Sequence, residues 1–283
     1  MKRRDAETAH VSPSGVGMSK QLLIYERAVP VTRQRHGAWS VKAGASFDFA
    51  RGVNSVPLMV AEFPNAAAEY TIVFGGAAEE IIPVALLGIR DNENLYVTES
   101  GAWSGSYVPA FLRRYPFVFS SDNANEPDAT FTLCVDEEFA GCNDEGRGER
   151  LFDADGERTQ YLQNVLGFLQ AYQVQFQRTK LFVQRLQDLD LLESMQAQFT
   201  LRTGQRSTLS GFSVINRDRL KALPPEKLAE LMQADELELI YQHLASLRNL
   251  TPIAERIGAP VDAAAATETA PASPADFETS GNA

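Results

Sequence analysis

No proline interrupts the chain between residues 156 and 192, and this constrains the fold more than any other feature of the sequence. Mostly apolar side chains recur there at spacings of three and four residues, the pattern of one helix face. They are Tyr161, Val165, Phe168, Tyr172, Phe176, Thr179, Val183 and Leu186. A helix of about 30 residues would be roughly 45 Å long. The sequence therefore predicts one long helix, capped at its start by Asp153 or Asp155.

The first half of the chain consists of short apolar runs separated by turn residues, a pattern that predicts strands. Strands are expected over residues 21–31, 36–42, 46–49, 71–74, 81–89, 117–120 and 131–135. The clearest hairpin is expected over 81–97, and a second one over 198–213. Proline near a first helical turn predicts short helices over 64–70 and 108–114, and another that begins after Pro224.

These patterns predict an α+β fold with a mixed, largely antiparallel N-terminal sheet, short helices, the long helix and a helical C-terminal part. Residues 21–258 are expected to form a single domain, sheet-rich over 21–150 and helical over 151–258. Residues 1–20 are interpreted as a disordered leader, with Met18 as the expected true start. The tail, 259–283, is rich in Ala, Pro, Thr and acidic residues and is expected to be disordered.

The chain is acidic, with a formal net charge of −11. Because phosphate binding depends on Lys and Arg, this balance argues against nucleic acid or an anionic membrane as the partner. No run of about 18 apolar residues occurs, so no membrane span is expected. The N-terminus also lacks the apolar core of a signal peptide. The expected location is the cytoplasm, and the alternative is the cell surface, reached without a cleaved signal peptide.

Two cysteines, Cys134 and Cys142, are expected to be reduced thiols, because a disulfide framework needs more cysteines and a secreted context. Cys134 falls in a predicted strand and is expected to point inward. None of His10, His36 and His243 lies at zinc-type spacing from a cysteine, and His36 is expected to be exposed. A disulfide between the two cysteines or a metal that they share is a weaker alternative, and no metal site is predicted.

Signatures of catalysis and cofactor binding are absent from the sequence. It contains no G-x-S-x-G, no Walker A, no G-x-G-x-x-G after a strand and no H-E-x-x-H. A calcium-loop fragment around Asp153 and Asp155 fails, because Leu151 and Leu162 would occupy positions that need oxygen ligands. The sequence therefore predicts no cofactor and favours a non-catalytic protein, although an enzyme is not excluded.

The candidate site lies in residues 93–121, which combine aromatic side chains, turn residues and two adjacent arginines. Arg113 and Arg114, beside Trp103 and Tyr107, could line a groove for a peptide, a sugar or an acidic partner. Glu62 has apolar neighbours, and a buried glutamate must find a partner or be neutral. The structural alternative is that one arginine pairs with Glu62 while the other lies in solvent.

Several strings in this chain resemble the bacterial SapC family in content, order and spacing. They are VPLMVAEFPNAAAEYTIVF (56–74), PVALLGIRDNENLYV (83–97), GAWSGSYVPAFLRRYPFVF (101–119), LFDADGERTQYL (151–162) and LSGFSVINRDRLKAL (209–223). The resemblance extends from about residue 21 to residue 257. It implies an association with surface-layer gene clusters and with outer-membrane TonB-dependent receptors, tryptophan-halogenase-like proteins and cupin-like proteins. It supplies no catalytic residue set, and it is unrelated to the transporter permease of the same short name.

Two functions are therefore considered. The first is a non-catalytic accessory or interaction protein of surface-layer or outer-membrane uptake systems, which binds a protein or peptide. The second is an enzyme that modifies a peptide or glycan, with Glu62, Arg113 and Arg114 around a pocket. A deep cleft holding these side chains, with a shifted pKa at Glu62, would favour the enzyme.

Overall fold

The computed structural model describes residues 7–10, 23–44, 46–76, 80–121, 130–200 and 206–256. The strands are β1 Glu7–His10, β2 Ala28–Pro30, β3 Ser40–Val41, β4 Ser55–Pro57, β5 Ile72–Gly75, β6 Ile82–Leu86, β7 Phe117–Ser120, β8 Thr132–Asp136, β9 Cys142–Asn143, β10 Glu149–Arg150, β11 Leu192–Thr200 and β12 Arg206–Ile215. The helices are α1 Arg33–His36, α2 Phe63–Ala66, α3 Ala110–Arg113, α4 Gln160–Asp188, α5 Arg217–Lys221, α6 Pro225–Gln233, α7 Glu236–Ser246 and α8 Leu250–Arg256. Short 3₁₀ turns cover Asp48–Ala50, Val60–Glu62 and Leu247–Asn249.

Three sheets organise these strands, and the predicted α+β class is confirmed. The largest has the order β1-β12-β5-β6-β4, with β11 also paired to β12. Two three-stranded sheets have the orders β10-β3-β9 and β2-β8-β7. Pairing is antiparallel except between β1 and β12. Of the predicted leader, the structure describes β1, while the predicted tail lies outside the described residues.

The hairpin predicted over 81–97 is wrong. β6 pairs with β5 and β4, and the residues after its polar turn form turns, with only an isolated bridge from Val97 to Trp103. Asn94 explains the difference, because its Oδ1 accepts the backbone N–H of Tyr96 (3.0 Å) and its Nδ2 donates to the carbonyl of Ala50 (2.9 Å). A side chain thus takes the hydrogen bond that a strand ladder would need.

Three other strand predictions are largely wrong, and the second hairpin is confirmed. Over 21–31, only Ala28–Pro30 is a strand among the described residues. Over 36–42 only Ser40–Val41 is a strand, since His36 ends α1. Over 46–49 the chain enters a 3₁₀ turn, where the Ser46 hydroxyl accepts the N–H of Asp48 at 3.1 Å. The hairpin predicted over 198–213 exists as the longer pair β11 and β12, and its predicted turn lies outside the described residues.

The long helix is confirmed as α4, with a different cap. Its N-cap is Thr159, whose hydroxyl accepts the N–H of Leu162 at 3.3 Å. Asp153, one of the two predicted caps, instead accepts the N–H groups of Asp155 (3.0 Å) and Glu157 (2.9 Å) in the preceding turn. The helix ends at Asp188.

One face of α4 packs against two of the sheets. Its C-terminal half contributes Phe182, Val183 and Leu186 to a core shared with β5 of the large sheet. Its N-terminal half packs with Phe117 and Val135 of the sheet β2-β8-β7. The apolar stripe read from the sequence is therefore buried by strands and by the neighbouring helices α2 and α7.

Replacing Thr159 by alanine should lower the free energy of unfolding by about 1 kcal/mol, the usual effect of losing a helix cap. Urea denaturation followed by circular dichroism measures this. The matched control is Asp155→Ala, because Asp155 was a predicted cap and its side chain makes no described hydrogen bond. A larger loss in Asp155→Ala than in Thr159→Ala would contradict the assigned cap.

Candidate functional site

Glu62 is a buried carboxylate that joins two segments distant in sequence. The residue is only 2% exposed to solvent. Oε2 accepts the N–H of Met59 at 2.8 Å, and Oε1 accepts the N–H of Ala110 at 2.7 Å and the hydroxyl of Tyr107 at 2.8 Å. Ala110 is the first residue of α3, whose N-cap Pro109 has no side-chain hydrogen bond to offer. Glu62 therefore caps α3 across space.

The electrostatic setting of Glu62 contains opposing effects. Burial raises the pKa of its carboxyl above the ordinary value, because a desolvated charge is unfavourable. The three hydrogen bonds and the charge of Arg113 act in the opposite direction. Burial also raises the pKa of the Tyr107 hydroxyl, and the adjacent Glu62 adds to that rise. The cluster thus contains a carboxyl and a phenol whose proton affinities differ from those in water.

Arg113 lies at the edge of this cluster and is half-buried. Its Nε donates to the carbonyl of Val108 at 3.0 Å, and its Nη2 lies 3.4 Å from the Tyr107 hydroxyl. The guanidinium carbon is 5.7 Å from the Tyr107 ring centre and 5.5 Å from that of Phe168. The structure therefore brings Glu62, Tyr107 and Arg113 together. The sequence predicts that Glu62 and one of the two arginines lie close to each other.

Arg114 lies in a different environment from the Glu62 cluster. It is 4% exposed, so it is not the solvated arginine that the structural alternative expects. Its guanidinium carbon lies 4.4 Å from the ring centre of Phe111, 4.9 Å from that of Tyr172 and 5.7 Å from that of Tyr25. Such cation–π contacts are strongest where water is excluded. This arginine contributes to the core rather than to a cleft.

Trp103 is half-buried, and its indole N–H forms hydrogen bonds that hold its own loop in place. Its indole N–H lies 3.2 Å from the Tyr70 hydroxyl and 3.1 Å from the carbonyl of Tyr107, and Tyr70 donates to that same carbonyl. Its ring stacks on Tyr96 with centres 5.5 Å apart, and Arg256 covers that tyrosine at 4.4 Å. Trp103 therefore reaches the Glu62 cluster only indirectly, through the backbone of Tyr107.

His36 is buried, contrary to the sequence prediction of an exposed side chain. Its Nδ1 accepts the N–H of Thr32 at 3.2 Å, so Nε2 carries the hydrogen toward Glu137, 3.1 Å away. Arg35 pairs with the same carboxylate, and Trp39 contacts the imidazole edge-on at 5.0 Å. Sequence reasoning missed this ion-pair cluster, because Glu137 is about a hundred residues from His36 and no motif links them.

The cysteines are both free thiols. Cys134 is buried in β8, as predicted, and Cys142 is half-buried in β9. Burial, with the charges of Asp136 and Glu137, raises the pKa of the Cys142 thiol to about 12. Among the residues that the structure describes, no group of three or more His, Cys, Asp or Glu side chains could hold a metal ion.

A groove of about 440 Å³, which the sequence did not indicate, lies between β8 and the start of α4. It is lined by Val31, Arg33, Phe131, Thr132, Leu133, Phe152, Arg158, Leu162 and Leu166. Arg33 lies across the backbone of Gly156, where a φ of +80° and the lack of a Cβ make room for its guanidinium. Within the described part of the chain, neither Arg33 nor Arg158 forms an ion pair.

The SapC family model matches residues 31–253, more than half of the chain. The chain belongs to the SapC family. No curated protein matches it, and neither does any solved structure. In the described segments of this SapC-family chain, no helix is both long and apolar enough to cross a membrane. The matched region contains the Glu62 cluster and the groove at β8, but the match assigns no role to either.

His243 is a second buried histidine, and it docks α7 on the large sheet. Its Nε2 accepts the N–H of Ile215 at 3.0 Å, and its ring lies 5.0 Å from that of Phe74. One turn later the Ser246 hydroxyl accepts the N–H of Ile72 at 3.0 Å. Burial lowers the pKa of His243 to about 3, so the imidazole is neutral in the folded chain at neutral pH.

Replacing Glu62 by alanine should lower the free energy of unfolding by about 3 kcal/mol or more, because two N–H groups and one hydroxyl lose their acceptor. Urea denaturation measures the loss. Glu69→Ala is the control, since Glu69 also accepts backbone N–H groups but is only half-buried. Equal losses in the two variants would argue against the capping role of Glu62.

His243 should make stability depend on pH. The imidazole of His243 takes up a proton below about pH 6.5 in the unfolded chain, but only near pH 3 in the folded chain. The free energy of unfolding therefore falls by about 1.4 kcal/mol for each unit by which the pH is lowered between these two values. In His243→Gln an amide oxygen can accept the same N–H without titrating. Urea denaturation at pH 7, 6 and 5 should therefore give the variant a shallower slope. Identical slopes would contradict the assignment.

Proposed function

We propose that this SapC-family chain is a non-catalytic accessory protein that binds a protein or peptide partner. Family resemblance links it to bacterial surface-layer or outer-membrane uptake systems. The groove between β8 and α4 is the observation that carries the proposal, because it offers apolar surface and positive charge side by side. The proposed location is the cytoplasm, and the cell surface is the alternative.

The chemistry of the groove suggests what it binds. Phe131, Leu133 and Leu166 are half-exposed apolar side chains, and Arg33 and Arg158 are exposed cations. A volume of about 440 Å³ falls in the range of ligand sites and can take one or two side chains. The guanidinium fork pairs best with carboxylates. The proposed ligand is therefore a peptide segment with an apolar side chain next to an acidic one.

The predicted site residues support the non-catalytic part of the proposal. The polar atoms of Glu62 bond to backbone and to Tyr107, while Arg114 lies among aromatic rings. We propose that Glu62, Tyr107, Arg113 and Arg114 shape and stabilise the protein. Trp103, half-exposed beside them, is a secondary candidate for contact with a partner.

An enzyme that modifies a peptide or glycan is the second candidate, and the raised pKa of Glu62 beside Tyr107 and Arg113 favours it. Its test is mass spectrometry of peptide and glycan mixtures incubated with the protein. A modification made by the natural chain and lost in Glu62→Gln, with the fold intact by circular dichroism, would support an enzyme. Unchanged mixtures would count against it.

The binding proposal is tested with a displayed library of random peptides. Selected peptides should carry an apolar residue beside Asp or Glu, and fluorescence polarisation should show about tenfold or weaker binding to the double variant Arg33→Glu, Arg158→Glu, because two charge-assisted contacts become repulsive. Arg217→Glu serves as the matched control, since Arg217 is exposed on α5, away from the groove residues.

A capture experiment from the native host complements the library. Natural chain and Arg113→Ala should retain the same specific partner, whereas the double groove variant should lose it. Loss in Arg113→Ala alone would move the binding site to the Trp103–Arg113 region. Peptides that bind the natural chain and the double variant equally well would overturn the groove assignment.

A further inference from the structure

The sequence that follows α8 contains the same chemical pattern as the ligand proposed for the groove between β8 and α4. After Arg256 every charged residue of the sequence is acidic. Phe277 stands between two of these residues, Asp276 and Glu278, and it is the one aromatic residue of the sequence outside the described ranges. An apolar ring with a carboxylate on each side matches a groove that places apolar side chains beside two arginines.

We propose that Asp276, Phe277 and Glu278 bind in this groove of the same chain and cover it until a partner peptide displaces them. The inference rests on the proposed function, to which it adds a means of regulation. A ligand attached to the same chain binds as if it were present at a concentration on the order of millimolar when its linker is short. A partner peptide must therefore bind more tightly than this segment in order to occupy the groove.

The two arginines of the groove are exposed and can receive these carboxylates. Arg33 lies against Gly156, and Arg158 follows two residues later in the same turn. The acidic side chains within residues 153–157 form no ion pair with any cation in the described part of the chain. Asp153 instead accepts backbone N–H groups of its own turn. The positive charge of the groove is thus not neutralised by the nearest carboxylates.

The apolar part of the groove is suited to one aromatic ring. Phe131, Leu133 and Leu166 are half-exposed along it. An aromatic side chain buries roughly 150–250 Å² when it leaves water. The other near neighbours of Phe277 in the sequence are Ala, Pro, Ser and Thr, whose small side chains bury little surface. The groove therefore offers this ring the apolar surface that its own segment lacks.

Val261, beside Asp262, is the other large apolar residue after α8 that has an acidic neighbour. Its side chain is smaller than a phenyl ring, and it has a carboxylate on one side only. Phe277 can engage both arginines of the groove at once, whereas Val261 can engage one. The charge pattern therefore favours Phe277 as the residue that enters the groove.

The chain between α8 and Phe277 is long enough to reach the groove. α8 ends at Arg256, whose guanidinium carbon lies 4.4 Å from the ring centre of Tyr96. A fold of about 250 residues is roughly 45 Å across. The 21 residues from 257 to 277 extend up to about 70 Å. The same chain can therefore supply the ligand, and no second copy is needed.

Photo-cross-linking tests this contact directly in the full chain. p-Benzoylphenylalanine in place of Phe277 keeps an aromatic side chain between the two carboxylates and reacts with the groups that its ring touches. Irradiation followed by peptide mapping with mass spectrometry should show a cross-link within one chain to Phe131, Leu133 or Leu166. The double variant Arg33→Glu, Arg158→Glu should lower the yield about fivefold or more, because the flanking carboxylates are then repelled.

The matched control for the cross-link carries p-benzoylphenylalanine in place of Ala265, which belongs to the same segment but has no acidic neighbour. Its yield of cross-links to the groove should be much lower. Equal yields from the two positions, cross-links only outside the groove, or cross-links only between two chains would each overturn the proposal.

A binding assay measures how strongly the segment covers the groove. The probe is a fluorescently labelled synthetic peptide of residues 271–283, followed by fluorescence polarisation. Its affinity for the full-length variant Phe277→Ala should be about tenfold or more above that for the natural chain, because the variant has lost the ligand that competes within the chain. The matched control, Val261→Ala, should bind the probe as the natural chain does.

The same assay separates this inference from the proposed function. Library-selected peptides that bind the natural chain and Phe277→Ala equally well would overturn the covering segment and leave the groove as a peptide site. If no selected peptide binds Phe277→Ala, the proposed function fails. The cross-link from position 277 then decides on its own whether Phe277 lies in the groove.

Discussion

The packing of α4 is the constraint on which the rest of the structure depends. A helix of 29 residues cannot leave a continuous apolar face in water, and neither of the sheets it contacts is long enough to cover it alone. The large sheet therefore covers the C-terminal half, and the sheet β2-β8-β7 covers the N-terminal half. Between them Thr179, which has a hydroxyl where the stripe is otherwise apolar, accepts the N–H of Val60 at 3.0 Å. That contact ties the helix to the turn that carries Glu62.

Glu62 shows how a buried carboxylate can connect two segments that are distant in sequence. Its position puts a carboxylate where α3 begins, and α3 has no cap of its own because Pro109 precedes it. A catalytic carboxyl needs access to a substrate as well as an altered pKa. The hydrogen bonds of Glu62 cap α3 and hold Tyr107, and burial is the cause that raises the pKa of its carboxyl.

The sequence predicted those features that depend on neighbouring residues and missed those that depend on distant ones. Periodicity was enough for α4, and β-branched and apolar runs were enough for β5 and β7. The false hairpin arose because a side chain, Asn94, takes a backbone hydrogen bond, which no apolar pattern reports. His36 was misplaced for a related reason, since its burial depends on Glu137 from a remote strand end. The groove was invisible because β8 and α4 meet only in the folded chain.

The arginines illustrate why local density of aromatic and charged residues is a poor guide to exposure. Arg113 and Arg114 were conspicuous in the sequence because aromatic residues surround them, yet the same aromatics bury Arg114 and half-bury Arg113. Arg33 and Arg158 have ordinary polar neighbours in the sequence, and the folded chain leaves both exposed. In a chain with net charge −11, cations that stay exposed beside apolar side chains are the groups a partner can meet.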